Sequence, residues 1–356
     1  MKTVSDKHKD DIGMVSGKIP HLEKIYNKTL LITGATGLIC SSVVEIVQHV
    51  NKTKGANVRL ILAGRNKDRI INRFEGTLEQ SDFEFMQYDS TSAKVEPFQA
   101  DYVIHGAGTC SPAFYVSNPV ETIKNNIVGV QALLEVTKEN KESRLLYISS
   151  SEVYGNRNNG SDLPYKEHEY GYLDILNPRA CYPSSKRASE TLCKCYAEEY
   201  GADVVIARPG HIYGPYFMPG DSKASTVFTE EAVSGKNIVM KSAGAQVRSY
   251  CYALDCASAI ISVLLNGECG EAYNIANSKS KASIRQFAET LAEICNVEVR
   301  YEDPSFEDTK SFNMMVMSAL DSTKLESLGW EGCFDLMTGL QRTCEILKGI
   351  GSYKKV

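Results

Sequence analysis

The segment Lys28–Cys40, KTLLITGATGLIC, constrains the chain more than any other. A short apolar run ends in a bend with glycines at 34 and 37, and the helical pattern SSVVEIVQHV follows at once. Such a bend lets backbone N–H groups approach a pyrophosphate at a helix N-terminus. The alternation then continues. NVRLILAG, DFEFMQY, DYVIHGAG, SRLLYISS and ADVVIARPG read as strands, and PVETIKNNIVGVQALLEVTKE and SSKRASETLCKCYAEEYG read as helices. Strands that alternate with helices imply βαβ units around a parallel sheet. Near-continuous apolar runs suit strands covered on both faces.

The expected fold class is α/β: a Rossmann-type doubly wound parallel sheet with a smaller C-terminal mixed α/β substrate-binding part. Residues 1–26 read as a polar N-terminal arm that either packs as a short helix or frays. Residues 27–213 form the dinucleotide-binding domain, and 214–356 are mostly substrate-binding, with about 250–264 returning to the Rossmann part. The strand candidates KNIVMK and EAYNIA and the helices SIRQFAETLAEIC and DSTKLESLG are assigned to the smaller part.

Composition narrows the class by exclusion. The formal charge is −5, and no Lys/Arg block marks a nucleic-acid footprint, so no DNA or RNA partner is expected. No run of apolar residues is long enough to cross a membrane, and the first twenty residues lack the apolar stretch of a secretory signal. The 11 cysteines are scattered without a Cys-x-x-Cys pair. That pattern fits reduced thiols in a cytoplasm, with no metal site.

Gly34, Thr36, Gly37, Leu38 and Ile39 are the candidate cofactor residues of the bend. The third small position holds Cys40 rather than glycine, for which a slight shift of the helix is expected. The second strand ends in LAGRNKD, which lacks the acid that would bind a ribose 2′-hydroxyl. Arg65, with Asn66 beside it, can instead grip a 2′-phosphate in a bidentate fork. NADP(H) is therefore favoured over NAD(H); the alternative is a solvated arginine at a strand end. Asp89, after the third strand, is a candidate contact to the adenine edge. Ala107, after the fourth strand, and Pro209 and Ile212, around the end of the sixth, complete the cofactor candidates.

The stretch CYPSSKR places Tyr182 and Lys186 four residues apart at the start of a helix, hence on one face. Lys186 can lower the phenol's pKa and hold a nicotinamide ribose. Tyr182 can exchange a proton with a sugar hydroxyl while hydride moves to or from the cofactor. The serine-ended strand leading into SSSEVYG stands 32 residues before Tyr182, at Ser150.

Over about residues 28–345 the chain resembles the extended short-chain dehydrogenases/reductases of the nucleotide-sugar epimerase/dehydratase group. TGATG, SSSEVYG, YPSSK, RPGHIYGP, YCYALD and LGW carry the resemblance. In the middle, SPAFYVSNPVETIKNN, SSEVYG and NPRACY are most similar to UDP-glucuronate decarboxylases. The resemblance implies a sugar carried on a nucleoside diphosphate, and a homodimer packed through helices over 119–138 and 182–201. It makes Ser150 the hydroxyl of a triad with Tyr182 and Lys186. Asn126 would hold the fourth-strand region, Arg248 the substrate diphosphate or sugar carboxylate, and Arg179 and Tyr115 the sugar end. It gives Glu152 the place of the carboxylate that serves elimination of water or carbon dioxide.

Ser151 stands where dTDP-glucose dehydratases have Asp, which weakens that particular reading. Three departures point instead to net reduction: Arg65 favours NADP(H), PSS follows the tyrosine where decarboxylases are acidic, and His211 stands where relatives place Asn on the diphosphate. Net NADPH reduction of a nucleotide-linked keto-sugar or ketose and internal redox with a retained cofactor stay level as readings. The second includes a UDP-glucuronate decarboxylase, a 4,6-dehydratase and an epimerase. A dinucleotide sensor without turnover is a more remote third, because Ser150, Tyr182 and Lys186 are all present.

Overall fold

The computed structural model describes residues 5–108, 110–157, 161–218, 220–305, 315 and 317–349. The first half runs α1 (Asp6–Ser16), β1 (Thr29–Thr33), α2 (Leu38–Lys54), β2 (Arg59–Gly64), α3 (Lys67–Arg73), β3 (Phe83–Gln87), β4 (Tyr102–His105), α4 (Pro112–Ser117), α5 (Pro119–Thr137), β5 (Arg144–Ile148), α6 (Cys181–Tyr200) and β6 (Asp203–Pro209). The second half runs β7 (His211–Tyr213), α7 (Ala224–Val233), β8 (Ile238–Met240), β9 (Val247–Tyr252), α8 (Ala253–Asn266), β10 (Ala272–Ile275), β11 (Lys281–Ser283), α9 (Ile284–Cys295), β12 (Val299–Tyr301), β13 (Met317–Ser318), α10 (Thr323–Glu326) and α11 (Leu336–Gly349).

Seven parallel strands form the main sheet in the order β10-β6-β5-β4-β1-β2-β3. Leu30, Leu31 and Ile32 of β1 are fully buried, as helices on both faces require. The strand order reverses between β1 and β4, and the carboxyl ends there open a crevice, the usual ligand position of such a sheet.

One assignment needs correction. EAYNIA is not part of the smaller domain: β10 is the seventh strand of the main sheet, in register with β6 from Ala272↔Ile206 to Ile275↔Pro209. A strand pattern reports burial, not partner, and nothing local distinguishes the two sheets. The helix before it, α8, packs against α2, β5, β6 and β10. Thirteen of the fourteen residues of α8 are buried, the signature of a helix enclosed on all sides. The rest of the C-terminal half builds small sheets, β9 with β7, β11 and β13, and β8 with β12, with α7, α9 and α11 packed around them.

The N-terminal arm is a packed helix. Ile12 and Val15 of α1 join the main core. His8 Nε2 lies 2.9 Å from Glu45 Oε2 of α2, and Asp11 accepts from Arg342 Nε of α11 at 2.8 Å. Six of the 11 cysteines are buried and all are free thiols. Among the described residues no helix is long and apolar enough to cross a membrane, and no cluster of His, Cys, Asp and Glu is placed to hold a metal.

Candidate active site

A cleft of about 940 Å³ lies over the carboxyl ends of the sheet, between it and the C-terminal part. Its floor is the bend between β1 and α2. Gly34 has φ 72°, and a Cβ there would stand 2.7 Å from the Gly106 backbone. Only glycine fits this left-handed, crowded position. Gly37 N donates to Gly34 O at 2.9 Å, and α2 begins at Leu38 without a side-chain cap, so its first-turn N–H groups stay open for an anion. The Cys40 sulfur is accommodated by Gly106, where a Cβ would overlap it. Thr36, Leu38 and Ile39 line the same wall.

At the end of β2, Arg65 and Asn66 line the cleft. Asn66 Oδ1 caps α3 by accepting from Asp68 N and Arg69 N at 2.8 and 3.2 Å. Arg69, which the sequence reading missed, also lines the cleft. Its signal was a second arginine four residues beyond Arg65. Asp89 is spent on its own turn, accepting from Thr91 N and Oγ1 at 2.9 Å, and the cleft is lined there by Tyr88 and Ser90 instead. Asn126 likewise faces inward: its Nδ2 donates to Ser185 Oγ and Thr122 O, both at 3.0 Å, and Asn125 lines the cleft in its place. Ala107, Pro209 and Ile212 are all in the lining.

The reactive end is built from two neighbouring segments. After β5 the chain turns through a 3-10 segment, Ser151–Tyr154, capped by Ser150 Oγ, which accepts from Glu152 N at 3.2 Å. Tyr182 and Lys186 occupy the first two turns of α6, and both are more than nine-tenths buried. Lys186 Nζ donates to Ile148 O at 2.8 Å, which fixes its ammonium at the end of β5. Burial pulls Lys186 down to about 8 and pushes the Tyr182 phenol up, while the Ser150 and Tyr115 hydroxyls act to lower the phenol. Glu152 is held by Arg179 in a bidentate fork, Nη1 to Oε2 at 3.1 Å and Nη2 to Oε1 at 3.2 Å. The Arg179 guanidinium also lies 5.0 Å from the centre of the Tyr115 ring. Tyr115 in turn stacks on Tyr182.

Beyond this point the cleft becomes cationic. Arg248 is 2% exposed and donates to Met315 O at 2.8 Å. His211 lies alongside with no partner for Nδ1 among the described residues, and burial, then Arg248 and Lys223, push it down to about 3, so it is neutral. Lys223, just before α7, was also missed; its Nζ pairs with Asp221 Oδ2 at 2.8 Å and lies 3.8 Å from Cys110 Sγ. No spacing pattern in the sequence singles it out. Ser151 completes the predicted residues found in the lining.

A dinucleotide-type cradle joined to a Ser–Tyr–Lys group at the end of the fifth strand defines a short-chain dehydrogenase/reductase of the extended type. The chain belongs to the NAD dependent epimerase/dehydratase family, whose model matches residues 30–276. It is 29% identical over 316 residues to UDP-glucuronic acid decarboxylase 3 of Arabidopsis thaliana, covering 88% of this chain and 87% of that protein. It is 28% identical over 327 residues to UDP-glucuronic acid decarboxylase 1 of Xenopus tropicalis, covering 89% and 71%. Among solved structures it is similar to the UDP-glucose 4-epimerase of Thermotoga maritima with UDP-glucose, at TM-score 0.74 and 24% identity over 90% of this chain and 99% of that one. That likeness speaks for the fold alone.

Proposed function

We propose that the protein acts on a nucleotide-activated sugar by internal redox, with its nicotinamide dinucleotide retained through the turnover. The glycine cradle that a Cβ would fill and the uncapped start of α2 fit a dinucleotide pyrophosphate. When bound, that cofactor supplies reversible hydride transfer. The chain's own groups do the rest. Tyr182 exchanges the proton of the reacting hydroxyl, Ser150 hydrogen-bonds the same oxygen, and the Lys186 ammonium favours the phenolate by its charge. Arg248 and Lys223 offer positive charge to a substrate diphosphate.

The carrying observation is Glu152: a carboxyl group forked by Arg179 and set inside the cleft that Tyr182 also lines. A simple carbonyl reduction has no use for it, whereas a proton removal or an elimination next to a transient ketone does. The curated relatives, named as UDP-glucuronic acid decarboxylases, support the same class. Replacing Glu152 with Gln is expected to abolish product formation from a nucleotide sugar while leaving dinucleotide affinity within about twofold. Full turnover by the Gln variant would refute this role.

One observation favours the second reading, net NADPH reduction. Arg65 and Arg69 both line the adenosine end, and the end of β2 carries no acid. Replacing Arg65 with Ala should weaken NADPH far more than NADH; equal loss of both would show that Arg65 does not grip a 2′-phosphate. We further propose a homodimer through α5 and α6, supported by the exposed Val120 and Ile123 on α5, and a cytoplasmic protein, supported by the free thiols. Light scattering at micromolar concentration checks the first and cell fractionation the second.

A further inference from the structure

Tyr115 lines the cleft yet is almost wholly enclosed. It is 2% exposed, against 7% for Tyr182. The two phenol rings are 9° from parallel, with centroids 4.4 Å apart. The Tyr115 carbonyl also accepts from Cys181 Sγ at 3.8 Å, which ties α4 to the first turn of α6. Pro112 at the start of α4 presets the helix that carries the tyrosine. The Tyr115 ring has a guanidinium for its other neighbour, and that guanidinium is the one that forks Glu152.

We propose that Tyr115 is a positioning residue for Tyr182: its ring sets the plane of the acid–base phenol, and its hydroxyl is a second donor, beside Ser150, to the phenol oxygen. The reasoning is geometric. A buried phenol that must ionise during turnover needs donors for the oxygen that gains charge, and Lys186 already spends a proton on Ile148 O. Parallel stacking holds the ring against rotation out of line. Both hydroxyls act on the ionisation of the Tyr182 phenol in the stabilising direction. The other groups facing Tyr182 are Cys110 beside α4, Glu152 on the 3-10 turn, Tyr147 of β5 and Lys186 one turn further on. Arg179 offsets the Glu152 charge. Through it, Tyr115 touches both groups that move protons, so the phenol and the carboxylate are held in one connected unit.

The kinetic part of the test rests on the internal-redox reading; the spectroscopic part does not. The variants are Tyr115→Phe, which keeps the stack and removes the hydroxyl, and Tyr115→Leu, which removes both. With a nucleotide sugar that the protein converts, Tyr115→Phe should lower kcat about tenfold at neutral pH with KM within twofold, as loss of one hydrogen bond to a charged group predicts. The pH limb of kcat assigned to Tyr182 should move up by about half a unit. Tyr115→Leu should lower kcat further. A raised KM with kcat and the limb unchanged would overturn the proposal and return Tyr115 to the sugar pocket. Independently of any sugar, tyrosine labelled with carbon-13 at Cζ can be titrated with oxidised dinucleotide bound, and the Tyr182 signal identified by its loss in Tyr182→Phe. An upward shift of its midpoint in Tyr115→Phe supports the proposal; an unchanged midpoint overturns it. Failure to convert any nucleotide sugar counts against the reaction class and leaves this titration to decide.

Discussion

Burial decides the protonation of the histidines nearest the cleft. His105 at the end of β4 is 1% exposed, donates to or accepts from Thr33 Oγ1 through Nδ1 at 2.8 Å, and is pushed down to about 3 by burial and then by Lys186. His211 is pushed down to about 3 in the same way. Both are neutral in the folded protein but take a proton in the unfolded chain below about pH 6.5. The unfolded state therefore binds more protons between about pH 3 and 6.5, and stability falls as pH falls through that window. At pH 5 each histidine is expected to cost about 2 kcal/mol relative to pH 8. Asp11 and Asp255, raised by burial to about 6, run the other way: their stabilisation is present at low pH and lost as pH rises through 6. The clean test is therefore a difference. Urea unfolding of His211→Gln against the parent should show the gap moving by about 2 kcal/mol in the variant's favour between pH 8 and pH 5; parallel pH curves would contradict a neutral His211. Tyr182→Phe belongs to the same scale. Loss of the proposed acid–base group should cut turnover by about 10²–10⁴-fold with dinucleotide binding nearly intact, and unchanged turnover would remove Tyr182 from the mechanism.

At the scale of elements, the N-terminal helix is a structural member rather than a tail. Ile12 and Val15 are buried at 6% and 0% exposure, and the His8–Glu45 and Asp11–Arg342 contacts bind α1 to α2 and α11. Each apolar side chain contributes about 1.5–3 kcal/mol by burial. Removing residues 1–17 should accordingly lower the melting temperature by several degrees and leave the buried carboxyl of Glu45 without His8; an unchanged melting curve would show that α1 adds nothing. The elements themselves were largely legible, because β1, β2, β4, β5 and β6 are mostly apolar runs and α2, α5 and α6 carry a helical period. What escaped was pairing and convergence. β10 looks like any short strand until β6 is beside it. Asp89 and Asn126 stand at the right distance from their motifs, but a local Asx turn and a helix–helix contact claim their side chains first. Glu152 and Arg179 were each singled out, yet 27 residues of chain separate them, and nothing in that spacing announces the fork. The Tyr115–Tyr182 stack is invisible for the same reason: it joins α4 to α6 across 67 positions.

At the scale of the whole molecule, the sheet and the C-terminal part act as two jaws of one cleft. The sheet supplies the glycine cradle, Ser150, Tyr182 and Lys186; the later half supplies His211, Lys223 and Arg248. Because β10 and α8 return to the sheet side, neither half is a separable unit. The cleft therefore depends on the complete chain from β1 through α11. The central claim is that hydride leaves and returns to the same substrate within one turnover. The direct measurement is to incubate the protein and a trace of oxidised dinucleotide with a panel of nucleotide sugars, following product by mass and the nicotinamide band by absorbance. Many turnovers per cofactor with no net change in absorbance is the expected result. Stoichiometric consumption of NADPH for each product formed, and no product without it, would contradict the account.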